Sequence, residues 1–278
     1  MSLLLLLAMA AAGFEFRDIS PASIELREAG QPVYVYNHGM MLAPGAPENR
    51  RRAGYLHPVY APNGVIVTDD FPRDHWHHRG IFWAWPIVLV DGKRHDQWMA
   101  ATPQTRLERW LEKKTSAAEA VLAAENGWYL GDRKIAVETV RITAHPVRGG
   151  KRVLDFELVF AASGAPLEIA GSPDNNKGYG GFSVRFAPRQ NTVITTEAGR
   201  EAKDTDMVPH AWAQLEADYG GRRAALRIDD DPSNPGSPNG WCLRHYGFLG
   251  VNFPGLKPFR LVPGQPLRLK YRVTLTGN

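Results

Sequence analysis

The sequence has one cysteine, Cys242, in 278 residues, so no disulfide can form within the chain and packing must supply its stability. An excess of one charge is missing too: 33 Lys and Arg stand against 29 Asp and Glu. Apart from Arg50-Arg51-Arg52 the basic residues are scattered, which leaves no stripe for a nucleic acid partner. The chain has no Walker loop, no Gly-x-Gly-x-x-Gly between a strand and a helix, no Gly-x-Ser-x-Gly elbow and no cysteine pair for zinc. These absences set aside nucleotide enzymes and serine hydrolases. Long apolar runs are confined to the N-terminus, where residues 1–12 hold five consecutive leucines followed by small residues that offer Ala-x-Ala cleavage at Ala8 or Ala10. This segment reads as an export signal, placing the mature protein in the periplasm or outside the cell; the alternative for the same residues is a buried terminal strand or helix. Elsewhere no stretch reaches the roughly 18–20 apolar residues of a membrane span, so no span is expected after processing.

What is present is ordinary globular composition, 44% hydrophobic and 22% charged, enough for a large core. From Ile24 onward the hydrophobic pattern has period two in short runs separated by turn residues, which predicts antiparallel strands. Residues 32–36, 65–68 and 81–85 combine β-branched and aromatic side chains suited to a pleated surface. Asp91-Gly92 is a hairpin turn signal. A meander follows, with Asn126-Gly127 and Gly149-Gly150 read as turns between runs, and residues 105–115 and 116–124 read as strands. Further strands are expected at 181–186, 192–197, 211–217, 224–228 and 267–275, with Pro263-Gly264 turning into the last. The expected fold is all-β, a single antiparallel sandwich over residues 14–278.

Two segments break the alternation, 55–98 and 229–254. Within the first, Asp69 to Gly80 holds three histidines, three aspartates and two arginines in twelve residues. Read as extended backbone, it puts His75 and His77 on one face and Asp74, Trp76 and His78 on the other. Imidazoles beside carboxylates suit general acid and base work, so His75, His77, His78, Asp70 and Asp74 are the candidate catalytic residues. The same His-x-His pair, His75 and His77, is the alternative ligand set for a divalent metal, completed by groups from elsewhere. A surface loop stitched by Asp–Arg and Asp–His pairs would show the same composition. Around this cluster Arg79, His57, Tyr60, Trp85, Trp98, Asn176, Lys177, Tyr179, Arg244 and His245 are candidates to bind substrate: rings as platforms for a sugar face, the rest as hydrogen-bonding or charged groups. Of the tryptophans, only one or two are expected in the site. The acidic run 229–231 lacks the spacing of a calcium loop.

Residues 52–60, Thr68-Asp69-Asp70-Phe71-Pro72, 75–85, Lys177-Gly178-Tyr179-Gly180-Gly181, Pro232-Ser233-Asn234-Pro235, Trp241, Arg244 and Tyr246-Gly247 together resemble the bacterial PmoA-like family over most of the mature chain. Asp231 stands where members of that family usually carry a histidine. The resemblance implies a β-supersandwich of the galactose-mutarotase type and a sugar or glycoside as partner. It further implies that an imidazole among His75, His77 and His78 protonates a ring or glycosidic oxygen while Asp70 or Asp74 takes a proton. No cofactor is required in that reading. The alternatives are a metal-dependent oxygenase or hydrolase, and a non-catalytic sugar-binding module.

Overall fold

The computed structural model describes residues 13–99 and 102–277, so the export-type segment 1–12 lies outside the described residues. The strands form three antiparallel sheets. The first has nine strands in the order Phe14–Ser20, Ser23–Glu28, Gln31–Asn37, Tyr55–Val59, Ile81–Ala84, Gly181–Arg185, Phe248–Asn252, Gly240–Arg244, Thr205–Pro209. The second has nine in the order Gly199–Glu201, Gln190–Thr196, Trp212–Tyr219, Arg222–Asp230, Leu267–Gly277, Lys151–Ala162, Arg133–Ala144, Ala120–Leu130, Gln104–Thr115. A four-stranded sheet, Phe259–Leu261, Leu167–Ala170, Ile87–Val90 and Lys93–His95, completes the fold. The antiparallel supersandwich expected from the sequence is the observed architecture.

Period-two patterning decides which face of the second sheet is dry. In Lys151–Ala162 the side chains of Leu154, Phe156, Leu158 and Phe160 are buried, while Asp155 and Glu157 face out. Its neighbour Leu267–Gly277 does the same with Leu269, Tyr271 and Val273 against Arg268, Lys270 and Arg272. The two large sheets meet through rings: Phe182 of the first lies 5.1 Å from Phe156 and 4.4 Å from Tyr271 of the second. Burying each such side chain contributes about 1.5–3 kcal/mol.

The central strands of the first sheet do not alternate, because both their faces are covered. Ile81 and Trp83 enter the inter-sheet core, whereas Phe82 and Ala84 belong to a second apolar cluster with Tyr55, Trp98, Cys242 and Phe248. Such doubly buried strands lose the hydrophobic-polar period. This second layer carries the candidate site.

Three local expectations are corrected. Residues 65–68 form only isolated bridges, Ile66 to Tyr60 and Thr68 to Phe186, although Val65 and Val67 are buried. Asn126-Gly127 is no turn: Ala120–Leu130 runs straight through it, and the chain reverses at Gly131-Asp132. Asn126 faces the core, where its amide donates to Glu138 Oε1 at 2.8 Å, and a Cβ at Gly127 would meet Tyr129 Cε2 at 2.5 Å. Residues 116–119 turn before the strand begins at Ala120.

Glu138 is 1% exposed and accepts from both Asn126 and, at 2.8 Å, Trp128 Nε1; Asn126 also reaches the Tyr36 hydroxyl of the opposite sheet at 3.3 Å. Glu138→Ala strips Trp128 Nε1 of its acceptor, takes one from Asn126 and opens a void, and is expected to cost about 3–5 kcal/mol, whereas Glu138→Gln keeps one acceptor oxygen and is expected to cost about 1–3 kcal/mol. Urea unfolding midpoints at unchanged slope measure both; equal losses would show that the hydrogen bonds do not matter.

Candidate functional site

The histidine segment is not extended. His75 N donates to Pro72 O at 2.9 Å and His78 N to His75 O at 2.8 Å, so two successive turns bring all three imidazoles to one side. The expectation that His75 and His77 share one face with His78 on the other is corrected by that geometry. His75 and His78 lie parallel with centroids 4.6 Å apart, and His77 stands edge-on, 4.5 Å from His78 and 5.7 Å from His75. Tyr246 at 5.2 Å from His75 and Phe248 at 5.0 Å from His78 extend the stack to four rings.

Arg79 is what the turns fold around. It is fully buried and donates Nη1 to the carbonyls of Trp76 at 2.9 Å and His78 at 2.6 Å, and Nη2 to that of Arg50. Its Cζ sits 3.4 Å from the Phe71 ring centroid, with Asp70 Oδ1 3.5 Å from Nε. A guanidinium so enclosed positions the loop and offers nothing to a substrate, contrary to the binding role expected of it. Asp70 also accepts from the Tyr55 hydroxyl at 2.8 Å. Burial pushes its carboxyl up to about 6, against the pull of Arg79 and Tyr55.

Asp74 joins His75 to the sheet below. Its Oδ2 is 3.0 Å from His75 Nδ1, and both its oxygens accept from Arg185 Nη2 at 2.9 and 2.8 Å. Burial works against ionisation of Asp74, but the bonds from His75 and Arg185 prevail and hold its carboxyl below the usual range. Burial, with His75 and Arg52 adding to it, pushes His77 down to about 3 and His78 well below its ordinary value. Burial thus disfavours the imidazolium form at both.

The other candidates scatter. Trp98 closes the cluster from beneath, 5.8 Å from His78 and 5.1 Å from Tyr179, and is 2% exposed. His57 lies on the same face, its Nδ1 3.1 Å from Thr68 Oγ1, and burial followed by Arg79 pushes it down to about 4. Trp85 is misplaced by the sequence reading: it is in the inter-sheet core, edge-on to Phe160 at 5.1 Å. Tyr60 is half-buried toward Glu25 and Arg27, away from the histidines. Asn176 is exposed and, like Asn175, has positive φ, which short amide side chains tolerate; both serve the turn. Lys177 contributes its carbonyl to Asn252 at 3.4 Å. The glycines beside it are there for close packing: a Cβ on Gly178 would lie 2.3 Å from Met207 Sδ, and one on Gly181 2.7 Å from Val251 O. Arg244 bonds Thr205 O at 2.8 Å and pairs with Asp206, while His245 turns outward to Asp204 at 2.9 Å.

Sequence reasoning missed Arg185, Tyr55 and Tyr246 as site residues. Arg185 carried one available signal, a basic residue two positions after Ser183 in a strand otherwise apolar, which places both on the outer face.

The acidic run belongs elsewhere. Asp229, Asp230 and Asp231 line a groove of about 1100 Å³ on the outer face of the second sheet, with Trp212, Arg227 and Arg272. Its guanidiniums are already matched, Arg272 to Asp155 at 2.7 Å and Arg227 to Asp229, and Asp230 is filled by Asn234 and Asn239. Unpartnered buried polar atoms also occur around the histidine segment: His78 Nδ1 and Arg185 Nε and Nη1, with Arg189 Nε beside the neighbouring Tyr246-Gly247 turn. Among the described residues no three His, Cys, Asp or Glu side chains are arranged to hold a metal, and the parallel rings of His75 and His78 do not converge on one point. No described helix is long and apolar enough to cross a membrane.

Residues 23–278 match a family described as "Family of unknown function (DUF6807)". The chain belongs to this family. No curated protein matches it. Solved structures that it resembles include a heparinase III gene product (11% identity, 97% of this chain and 35% of that one, TM-score 0.39). Others are a 4-alpha-glucanotransferase from Thermococcus litoralis (9%, 95% and 39%, 0.39) and a GalM/aldose epimerase homologue from C. elegans (8%, 96% and 99%, 0.39). The chain thus spans little more than a third of the first two. At these scores the likenesses carry no weight for function.

Buried neutral imidazoles make a pH prediction for this family member. A histidine whose folded pKa is depressed stabilises the fold above its unfolded value, near 6.5, and that contribution is lost as pH falls toward the folded value. For His57, held at about 4, the loss between pH 7.5 and 5 is about 2 kcal/mol. Asp69 and Asp70, both raised by burial, act in the opposite sense, so the variant comparison is the informative one. His57→Gln is expected to flatten the fall in stability on acidification by that amount; an unchanged slope would mean His57 is not held neutral.

Proposed function

We propose that this face binds a sugar or glycoside and performs acid–base chemistry on it. The observation that carries the reading is the chain Arg185–Asp74–His75. A buried guanidinium fixes a carboxylate, the carboxylate accepts a hydrogen bond from Nδ1–H of a half-exposed imidazole, and no described group bonds its Nε2. That arrangement sets the tautomer in which Nε2 acts as base. Asp70, with its carboxyl at about 6, is the complementary acid. His77 and His78 act as neutral hydrogen-bonding groups, and Tyr246, 41% exposed, is the ring available to a sugar face. Export through residues 1–12 and kinship with PmoA-like proteins belong to the same proposal, resting on the sequence motifs alone.

His75→Ala is expected to lower turnover by about 10²–10⁴-fold. Its melting temperature should change little, because the side chain is 35% exposed. Proton NMR of the full chain with a panel of mono- and disaccharides, following anomeric and exchangeable C–H signals, measures turnover. Full activity in the variant would remove the mechanism; binding without turnover in the wild type would leave a sugar-binding module. If Asp70 is the acid, kcat/KM falls as pH rises through about 6, and Asp70→Asn abolishes that limb.

A further inference from the structure

The unpartnered atoms under the histidines are not evenly divided between donors and acceptors. Arg185 is 6% exposed, Asp74 occupies only its Nη2, and Nε and Nη1 have no partner. Arg189 donates Nη1 to Ala187 O at 3.0 Å and Nη2 to His245 O at 2.9 Å, leaving Nε unpartnered. No carboxylate lies within ion-pair distance of Arg189 among the described residues. The two guanidiniums flank the Tyr246-Gly247 turn. Arg185 Cζ is 4.9 Å from the Tyr246 ring centroid, and a Cβ on Gly247 would lie 2.1 Å from Arg189 Nη1, so only glycine admits that approach. Asp69, the remaining acid facing both arginines, already accepts from Asp70 N at 2.9 Å, and burial pushes its carboxyl up.

Each buried N–H left unpaired costs about 1–3 kcal/mol, so three guanidinium nitrogens without acceptors around one turn are costly unless something fills them. A ligand suited to them supplies acceptor oxygens and negative charge together. A carboxylate does so in the planar geometry a guanidinium matches, whereas a neutral hydroxyl supplies neither the charge nor the second oxygen. We propose that the ligand of this face is a sugar acid, its carboxylate held by Arg185 and Arg189 beneath the exposed ring of Tyr246. This rests on the sugar-binding reading above and narrows it.

Isothermal titration of the full chain with glucuronate and galacturonate, their methyl esters, glucose and galactose tests it. At least one acid is expected to bind about tenfold or more tightly than its own methyl ester, and added salt should shrink the ratio. Arg185→Met should bring that ratio close to one. Because that change also frees Asp74, Arg189→Met, which bonds neither Asp74 nor His75, is the second variant and should likewise lower the ratio. Equal binding of acid and ester, or a ratio unchanged in both variants, overturns the acid preference while leaving sugar binding intact. Failure of every acid and every neutral sugar to bind overturns both.

Discussion

The candidate site depends on the burial of one charge. Arg79 has no exposed surface, and a guanidinium in that position is tolerable only if its donors are met. The chain meets them largely with its own backbone, turning twice between Pro72 and His78 so that the carbonyls of Trp76 and His78 point inward. Those same turns determine where three imidazoles go. The histidines gather because the loop has to wrap a cation, and burial first, then the neighbouring histidines and arginines, makes a positive charge on His77 or His78 unfavourable.

The second constraint is the double burial of the first sheet. Strands whose two faces are both covered place Phe82, Phe248 and Cys242 outward into a second apolar layer, and this layer is the low-dielectric floor on which Asp70, Asp74 and Arg185 interact. A carboxylate pair in water would be worth little; here burial raises Asp70 while direct bonds hold Asp74 down. Two aspartates four residues apart thus acquire opposite tendencies.

The acidic groove and the histidine face contrast in the same terms. On the outer face of the second sheet, cross-strand arginines and carboxylates neutralise one another in register, Asp155 beside Arg272 beside Asp229, as a solvated sheet face commonly does. Under the histidines the polar groups are buried before they are matched. The groove's arginines are matched, whereas Arg185 Nε and Nη1 beside the histidines are not.

The fold class was legible in the sequence because period two survives wherever one face of a strand is wet, as in Lys151–Ala162 and Leu267–Gly277. The candidate segment could be singled out too, since density of His, Asp and Arg is a property of composition. The sequence did not determine which residues meet. The extended reading of residues 75–78 failed because a buried arginine competes for backbone carbonyls that a strand would have paired elsewhere. Trp85 read as a site ring and Asn126 as a turn because single residues do not reveal on which side of a sheet they fall. Arg185, over a hundred residues from Asp74, was invisible as its partner. Local pattern follows from local backbone geometry and can be read along the chain; the pairing of buried charges depends on long-range register, and only the assembled sheets decide it.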